Sequence, residues 1–227
     1  MQALSAVNGS RVHPALAMRG PVFLARAADD IGHGVRRTFK RGEEGFAEGD
    51  PCSCFFTVVS GTVRTGKLLP DGRRQIDAFH LPGDVFGLES GDSHRFTAEA
   101  VDDVEVIAYR RSSFGTLVQS DPAFGEQLMS SMLTSLDRAH DHMVLLGRKT
   151  ALEKMASFLL DLARRTSRGD RVELPMQRTD IADYLGLTIE TVSRTLTQMT
   201  RSGLIRLAEA GRTVVLTDKA GLQLLRA

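Results

Sequence analysis

Gly61-Thr62-Val63-Arg64-Thr65-Gly66-Lys67-Leu68 comes within one residue of a phosphate-binding loop. Such a loop needs a hydroxyl after the lysine to hold Mg²⁺ and a helix behind it to present N–H groups. Leu68 stands in the hydroxyl place and a Pro70-Asp71-Gly72 turn follows, so triphosphate chemistry is not expected. Cys52-Ser53-Cys54 has the thiols of a soft-metal or redox site, but there is no second cysteine pair, and His80 and His94 lie at uninformative spacing. On a strand, positions 52 and 54 share a face, and structural thiols are the plainer reading. His140 and His142 sit on a helical pattern, diverge by about 200° and cannot converge on one ion. No nucleophile elbow, paired catalytic carboxylates or HExxH is present, so nothing requires an enzyme.

Recognition chemistry is better served, in residues 178–200, RTDIADYLGLTIETVSRTLTQMT. A first helix from about Thr179 to Leu185 buries Ile181, Ala182 and Leu185, and Gly186 supplies a sharp reversal that favours a residue without Cβ. Thr188 then caps a second helix that buries Val192 and Leu196. Glu190, Thr191, Ser193, Arg194 and Thr197 fall on its exposed side. An ordinary helical hairpin usually mixes Lys and Glu on that side; here Ile189-Glu190-Thr191 and Ser193-Arg194 crowd the start of the second helix, the layout of a helix-turn-helix.

The elements around this unit differ in kind. Residues 1–30 lack sustained periodicity and read as an arm. From about Val35 to Tyr109, short apolar runs alternate with glycines, and Val104 to Tyr109 shows a period-2 pattern. Pro70-Asp71-Gly72 reads as a hairpin turn, and the whole segment as a small β roll. Asp121-Pro122 opens a long helix in which Met129, Met132, Leu136, Ala139, Met143 and Leu146 follow at spacings of 3, 4, 3, 4 and 3. That is a heptad seam, suited to a parallel two-fold dimer. Packing on the chain's own barrel is the alternative, which Leu128 and Leu133 would serve; Gly147 marks a candidate hinge. Residues 150–165 form another amphipathic helix, and 171–227 carry two helical patterns, two strand-like runs and a terminal helix.

Apolar residues make up 42% of the chain and charged ones 25%, an ordinary globular composition. The net charge of +1 conceals a division: residues 1–146 hold 15 Lys/Arg against 19 Asp/Glu, whereas residues 147–227 hold 14 against 9. A basic C-terminal third suits a polyanionic partner. No apolar run reaches 18 residues, no basic segment precedes an apolar block at the start, and two cysteines make no disulfide framework. A cytoplasmic protein with no membrane partner is expected.

The segment LPMQRTDIADYLGLTIETVSRTLTQM resembles the DNA-reading motif of the CRP/FNR superfamily of bacterial transcription factors, in its FixK-like branch. GRRQIDAFHLPGDVFGLESG is similar to the barrel of the same proteins, and the resemblance extends over about residues 35–225. It implies an α+β chain: an arm (1–30), a cyclic-nucleotide-binding-like β-roll (31–118), a dimerisation helix (119–147) and a winged helix-turn-helix (148–227).

Placed in the major groove, Arg194 can bond guanine O6/N7 and Glu190 can accept from cytosine N4, so the two read one G·C pair. The family places its arginine and glutamate at these positions. Cyclic-AMP receptors carry a further arginine where Ile189 stands; an apolar side chain suits a thymine methyl, which with Ser193 assisting implies TTGA-N6-TCAA-like palindromes. By the same resemblance Arg178, Thr179, Thr188, Thr191 and, in the wing, Arg212 grip phosphates, and the 129–146 seam pairs two copies. Asp71, Gly72, Arg73 and Arg74 occupy a hairpin that touches RNA polymerase in FNR-like activators.

The implied protein is a homodimeric regulator, an activator, of low-oxygen or nitrogen-fixation-associated genes. No cofactor is expected. Residues 1–51 lack the cysteines of an iron–sulfur cluster, and the places where cyclic-nucleotide binders carry Glu and Arg-Ser/Thr read Leu88 and His94-Arg95. Two alternatives stand: a cyclic-nucleotide-gated regulator using a shifted Glu89 with Arg95, and a redox or metal protein using Cys52 and Cys54.

Overall fold

The computed structural model describes residues 34–166 and 169–226. The expected arm lies outside the described residues. Eight strands come first: β1 (Val35–Phe39), β2 (Glu44–Phe46), β3 (Cys54–Ser60), β4 (Val63–Leu68), β5 (Arg74–His80), β6 (Val85–Phe86), β7 (Thr97–Ala100) and β8 (Val104–Arg110). They form two antiparallel sheets, ordered β1-β8-β3-β6 and β2-β7-β4-β5. Phe46, Phe56, Val58, Val63, Phe86 and Val106 fill the space between them. The turn between β4 and β5 is closed by Gly72 at φ 84°, with Leu69 N bonded to Arg73 O across 2.8 Å.

The alternation read in Val104–Tyr109 does not separate a wet face from a dry one. Val104, Val106 and Ala108 face the barrel interior, while Ile107 and Tyr109 are buried beneath helices. Those helices are α1 (Phe114–Ser120) and α2 (Pro122–Arg148), whose Leu117, Phe124 and Leu128 cover the outer face of the sheet. Asp121 Oδ1 caps α2 by accepting from Phe124 N at 3.1 Å. Leu128 therefore serves the chain's own barrel; Leu133, 55% exposed, does not.

Gly147 does not interrupt α2. The helix runs through it to Arg148, and the break comes at extended Lys149 (φ −87°, ψ 145°), ahead of α3 (Ala151–Thr166). An interior glycine costs a helix about 1 kcal/mol, and buried His142 and Leu145 hold that last stretch in place.

The C-terminal unit comprises β9 (Arg171–Glu173), α4 (Arg178–Leu185), α5 (Ile189–Arg201), β10 (Ile205–Ala208), β11 (Thr213–Leu216) and α6 (Lys219–Arg226). Its three strands form a sheet ordered β10-β11-β9, and of these only β9 has no strand-like run in the sequence. Met155, Leu159, Ile181, Leu185, Val192, Leu196 and Leu216 make its core, which continues onto Ile76 and Phe79 of the barrel. Fully burying each such side chain contributes roughly 1.5–3 kcal/mol, so the C-terminal unit is packed onto β5 rather than tethered to it.

Candidate nucleic-acid interface

Two helices and one sharp turn build the candidate reading surface. The α4 N-terminus is tied by Asp180 Oδ2, which accepts from Gln177 N at 3.0 Å. It ends at Gly186, left-handed at φ 61° and ψ 43°, where Leu187 N reaches Ala182 O at 2.9 Å. A Cβ on Gly186 would also stand 3.3 Å from Leu146 of α2. The reversal thus needs glycine for its backbone and for its close neighbour.

Thr188 caps α5, its hydroxyl accepting from Thr191 N at 3.2 Å. Val192, Thr195, Leu196 and Met199 bury one side of α5. Glu190, Arg194 and Thr197 are exposed on the other, with Ser193 and Thr191 half-buried at its margin and Ile189 41% exposed at its start. The Glu190 carboxyl is held below its ordinary range by its own backbone N–H, then by the Thr188 hydroxyl, and further by the Arg194 charge. It is therefore ionised at neutral pH, as a hydrogen-bond acceptor for a base amino group must be.

The expected phosphate contacts ring this face. Thr179, Thr188 and Arg212 are exposed. Arg178 Nη1 approaches Ser193 Oγ at 3.3 Å, and its Nη2 lies 3.0 Å from where a Gly211 Cβ would be, so α4, α5 and the wing tip converge on one guanidinium. Glu209, beside the wing turn, holds φ 51°, with its carboxylate bonded to Arg171 at 2.9 Å and Thr213 at 3.0 Å.

The seam residues divide. Met129, Met132, Leu136, Ala139 and Met143 are exposed along α2, joined by Leu133 and Val144. Leu146 is instead half-buried, packed on the C-terminal core beside Gly186, and does not extend the exposed seam. In the β4–β5 hairpin, Asp71, Gly72 and Arg73 are exposed, Asp71 pairing with Arg73 at 2.7 Å. Arg74 departs from them. It turns toward α4 and pairs with Asp183 and Asp180. No signal local to the hairpin showed this; the acidic pair one turn apart on α4 was its only trace.

The remaining candidates have structural surroundings. Lys67 of the near-miss phosphate loop lies in strand β4 and pairs with Glu48 at 2.6 Å. Cys52 sits outside the strand, so the shared-face argument fails; it is buried, its Sγ 3.3 Å from Gly87 O, while Cys54 is half-buried in β3 and both thiols are free. Among the described residues no three His, Cys, Asp or Glu side chains gather where a metal ion could sit. His140 is exposed, whereas His142 is buried.

A cleft of about 610 Å³ opens between the barrel, α2 and the C-terminal unit, lined by Phe86, Glu89, Arg95, Arg138, His142 and Tyr184 among others. Glu89 is already engaged there: both carboxylate oxygens accept from Arg95 N at 3.0 Å, and one lies 3.3 Å from His94 Nδ1. No helix among the described residues is long and apolar enough to cross a membrane.

Residues 153–225 match the Crp-like helix-turn-helix domain and residues 36–121 the cyclic nucleotide-binding domain. The chain is 47% identical over 197 residues to the nitrogen fixation regulation protein FixK of Azorhizobium caulinodans, covering 85% of this chain and 79% of that protein. It is 44% identical over 198 residues to the protein of the same name from Bradyrhizobium diazoefficiens, covering 86% and 83%. Its fold is similar to the structure of FixK2 from Bradyrhizobium japonicum, with a TM-score of 0.79 and 47% identity over 86% of this chain and 98% of that one.

Proposed function

The chain belongs to the CRP/FNR superfamily of DNA-binding transcription regulators, in its FixK-like branch, and from that premise we propose that it reads TTGA-N6-TCAA-like palindromes as a homodimer. Glu190 and Arg194 read one G·C pair per half-site, Ile189 meets a thymine methyl and Ser193 assists. Arg178, Thr179, Thr188, Thr191 and Arg212 hold phosphates. The observation that carries this reading is the exposed pair of an ionised Glu190 and Arg194 at the start of a capped helix whose other side is buried. Their spacing on one side of α5 suits guanidinium-to-guanine and carboxylate-to-cytosine bonds made together.

The exposed Met129–Met143 side of α2 supports pairing of two copies, and a two-fold dimer demands a palindrome. The names of the relatives support a role in nitrogen-fixation gene control, and Asp71, Gly72 and Arg73 remain available to a polymerase surface. The engaged Glu89 carboxylate supports DNA binding without a cyclic nucleotide. A gel shift of the ligand-free protein on TTGA-N6-TCAA tests the reading beside Glu190→Ala and Arg194→Ala. Retention by wild type and loss in both variants is expected. Equal binding to a scrambled duplex would overturn it, and micromolar calorimetric binding of cyclic AMP with tightened DNA affinity would overturn the ligand-free part.

A further inference from the structure

Asp180 is buried, its side chain 4% exposed, although it belongs to the first helix of a DNA-reading motif. Its Oδ1 takes two guanidinia from the barrel: Arg64 Nη1 of β4 at 2.8 Å and Arg74 Nη2 of β5 at 2.5 Å. Its Oδ2 accepts from Gln177 N at the start of α4. Arg64 spends its other nitrogen on Glu99 of β7 at 2.5 Å, and Arg74 Nε reaches Asp183, one turn along α4, at 2.8 Å. Further along the same helix, the Tyr184 carbonyl accepts from His142 Nε2 of α2 at 2.8 Å, and the two rings stack with centroids 4.0 Å apart.

Three successive points on α4 are thus fixed to the barrel and to the seam helix. Charge-assisted, paired guanidinium contacts fix direction as well as distance. The docking leaves Glu190, Arg194, Thr179 and Arg212 exposed, so it orients the reading face rather than covering it. Because α4 and α5 share the Ile181, Leu185, Val192 and Leu196 core, orienting one orients the other.

We propose that Arg64, Arg74, Asp180 and Asp183 are positioning residues that set which half-site spacing the dimer accepts. The proposal rests on the palindrome reading above. Two recognition helices held rigidly to a common two-fold axis match one centre-to-centre distance along the duplex. A spacer one base pair longer or shorter displaces the second half-site by about 3.4 Å along the axis and rotates it. A clamped dimer rejects that site, and a loosened one follows it.

The test measures affinity by fluorescence anisotropy for TTGA palindromes with five-, six- and seven-base-pair spacers. Wild type is compared with Arg64→Gln/Arg74→Gln, which leaves α4 untouched, and with the milder Asp183→Asn. The double variant is expected to lower the ratio of best to displaced spacer about tenfold, and Asp183→Asn to lower it partway. If the double variant does not fold, Asp183→Asn decides alone. An unchanged ratio, whether all affinities fall together or none does, overturns the proposal. Wild type that binds no TTGA palindrome sinks the palindrome reading itself, a result distinct from a variant that keeps the wild-type ratio.

Discussion

The Arg178 guanidinium and the Ser193 hydroxyl lie 3.3 Å apart, which joins the start of α4 to the first half of the reading helix. One belongs to the expected phosphate contacts and the other to the expected base readers, yet they share a contact in the free protein. A serine that accepts from an arginine this way steers the guanidinium before any DNA is bound.

The two roles separate in mutagenesis. Glu190→Ala or Arg194→Ala should cost about 1–3 kcal/mol on the matched site and little on a duplex changed at the G·C pair. Arg178→Ala should weaken all duplexes alike and lower the slope of log K against log salt by about one. Binding isotherms on matched and altered duplexes at three salt concentrations make the distinction. A sequence-selective loss in Arg178→Ala would assign it to the bases.

The exposed side of α2 makes a prediction about assembly. Leu136 is 51% exposed and Met143 64%, and a carboxylate at either position leaves the monomer's own core untouched. Burying it in a dimer seam would cost several kcal/mol. Leu136→Glu should therefore sediment as a folded monomer and lose binding to the palindrome, whereas Leu146→Glu, aimed at the half-buried contact beside Gly186, should unfold the C-terminal unit. Sedimentation velocity with far-UV circular dichroism reads both.

The helix-turn-helix was legible because its determinants are local. A left-handed Gly186 and a capping Thr188 lie two residues apart, and the apolar positions of α4 and α5 follow helical spacing. The β roll was legible from glycine turns such as Gly72. What escaped is what depends on distant partners. Asp180 meets Arg64 and Arg74 more than 100 residues away, and nothing near it in the chain announces them. Gly147 misled because a local helix penalty of about 1 kcal/mol is smaller than the packing that holds α2 around it. Cys52 does not share a strand face with Cys54 because it lies before the strand begins, a boundary the local sequence does not mark.

Half-buried His80 and buried His142 make stability depend on pH. Burial presses the His80 pKa down to about 4 from an ordinary 6.5; the nearby Asp84 charge opposes this, while Arg165 and Arg138 add to it. The ring stacks on Phe86 and meets Thr65 Oγ1 at 3.0 Å. Burial lowers the His142 pKa as well. Between those two pH values the unfolded chain holds a proton at His80 that the folded chain refuses. The stabilisation is complete above about pH 6.5 and is lost as pH falls toward 4, by about 3 kcal/mol for His80. Urea unfolding at pH 4.5 and 7.5 should show this loss in wild type and a clearly smaller one in His80→Gln. Parallel losses in both would place the cause elsewhere.

Asp84 is the second carboxylate that joins barrel to helices, and its removal should be the more damaging to the fold. It accepts from Arg138 of α2 at 2.8 Å, Arg165 of α3 at 2.6 Å and Leu81 N at 2.8 Å, and its side chain is 14% exposed. Burial alone would raise its pKa, but the Arg165 and Arg138 charges outweigh that and hold it below the ordinary range. Its contribution is therefore full above the ordinary carboxylate pKa and lost as pH falls through the folded value. Asp84→Ala leaves two guanidinia close together without their shared partner, a change that costs about 3–5 kcal/mol in buried pairs. For a chain of this size that lowers Tm by roughly 10 °C. Asp103→Ala, which removes the exposed pair with Lys40 and a 3.4 Å hydrogen bond from Arg41 N, should leave Tm nearly unchanged. Calorimetry of both variants at pH 7 checks the contrast, and an Asp84→Ala protein that melts with wild type would show that the two arginines find other partners.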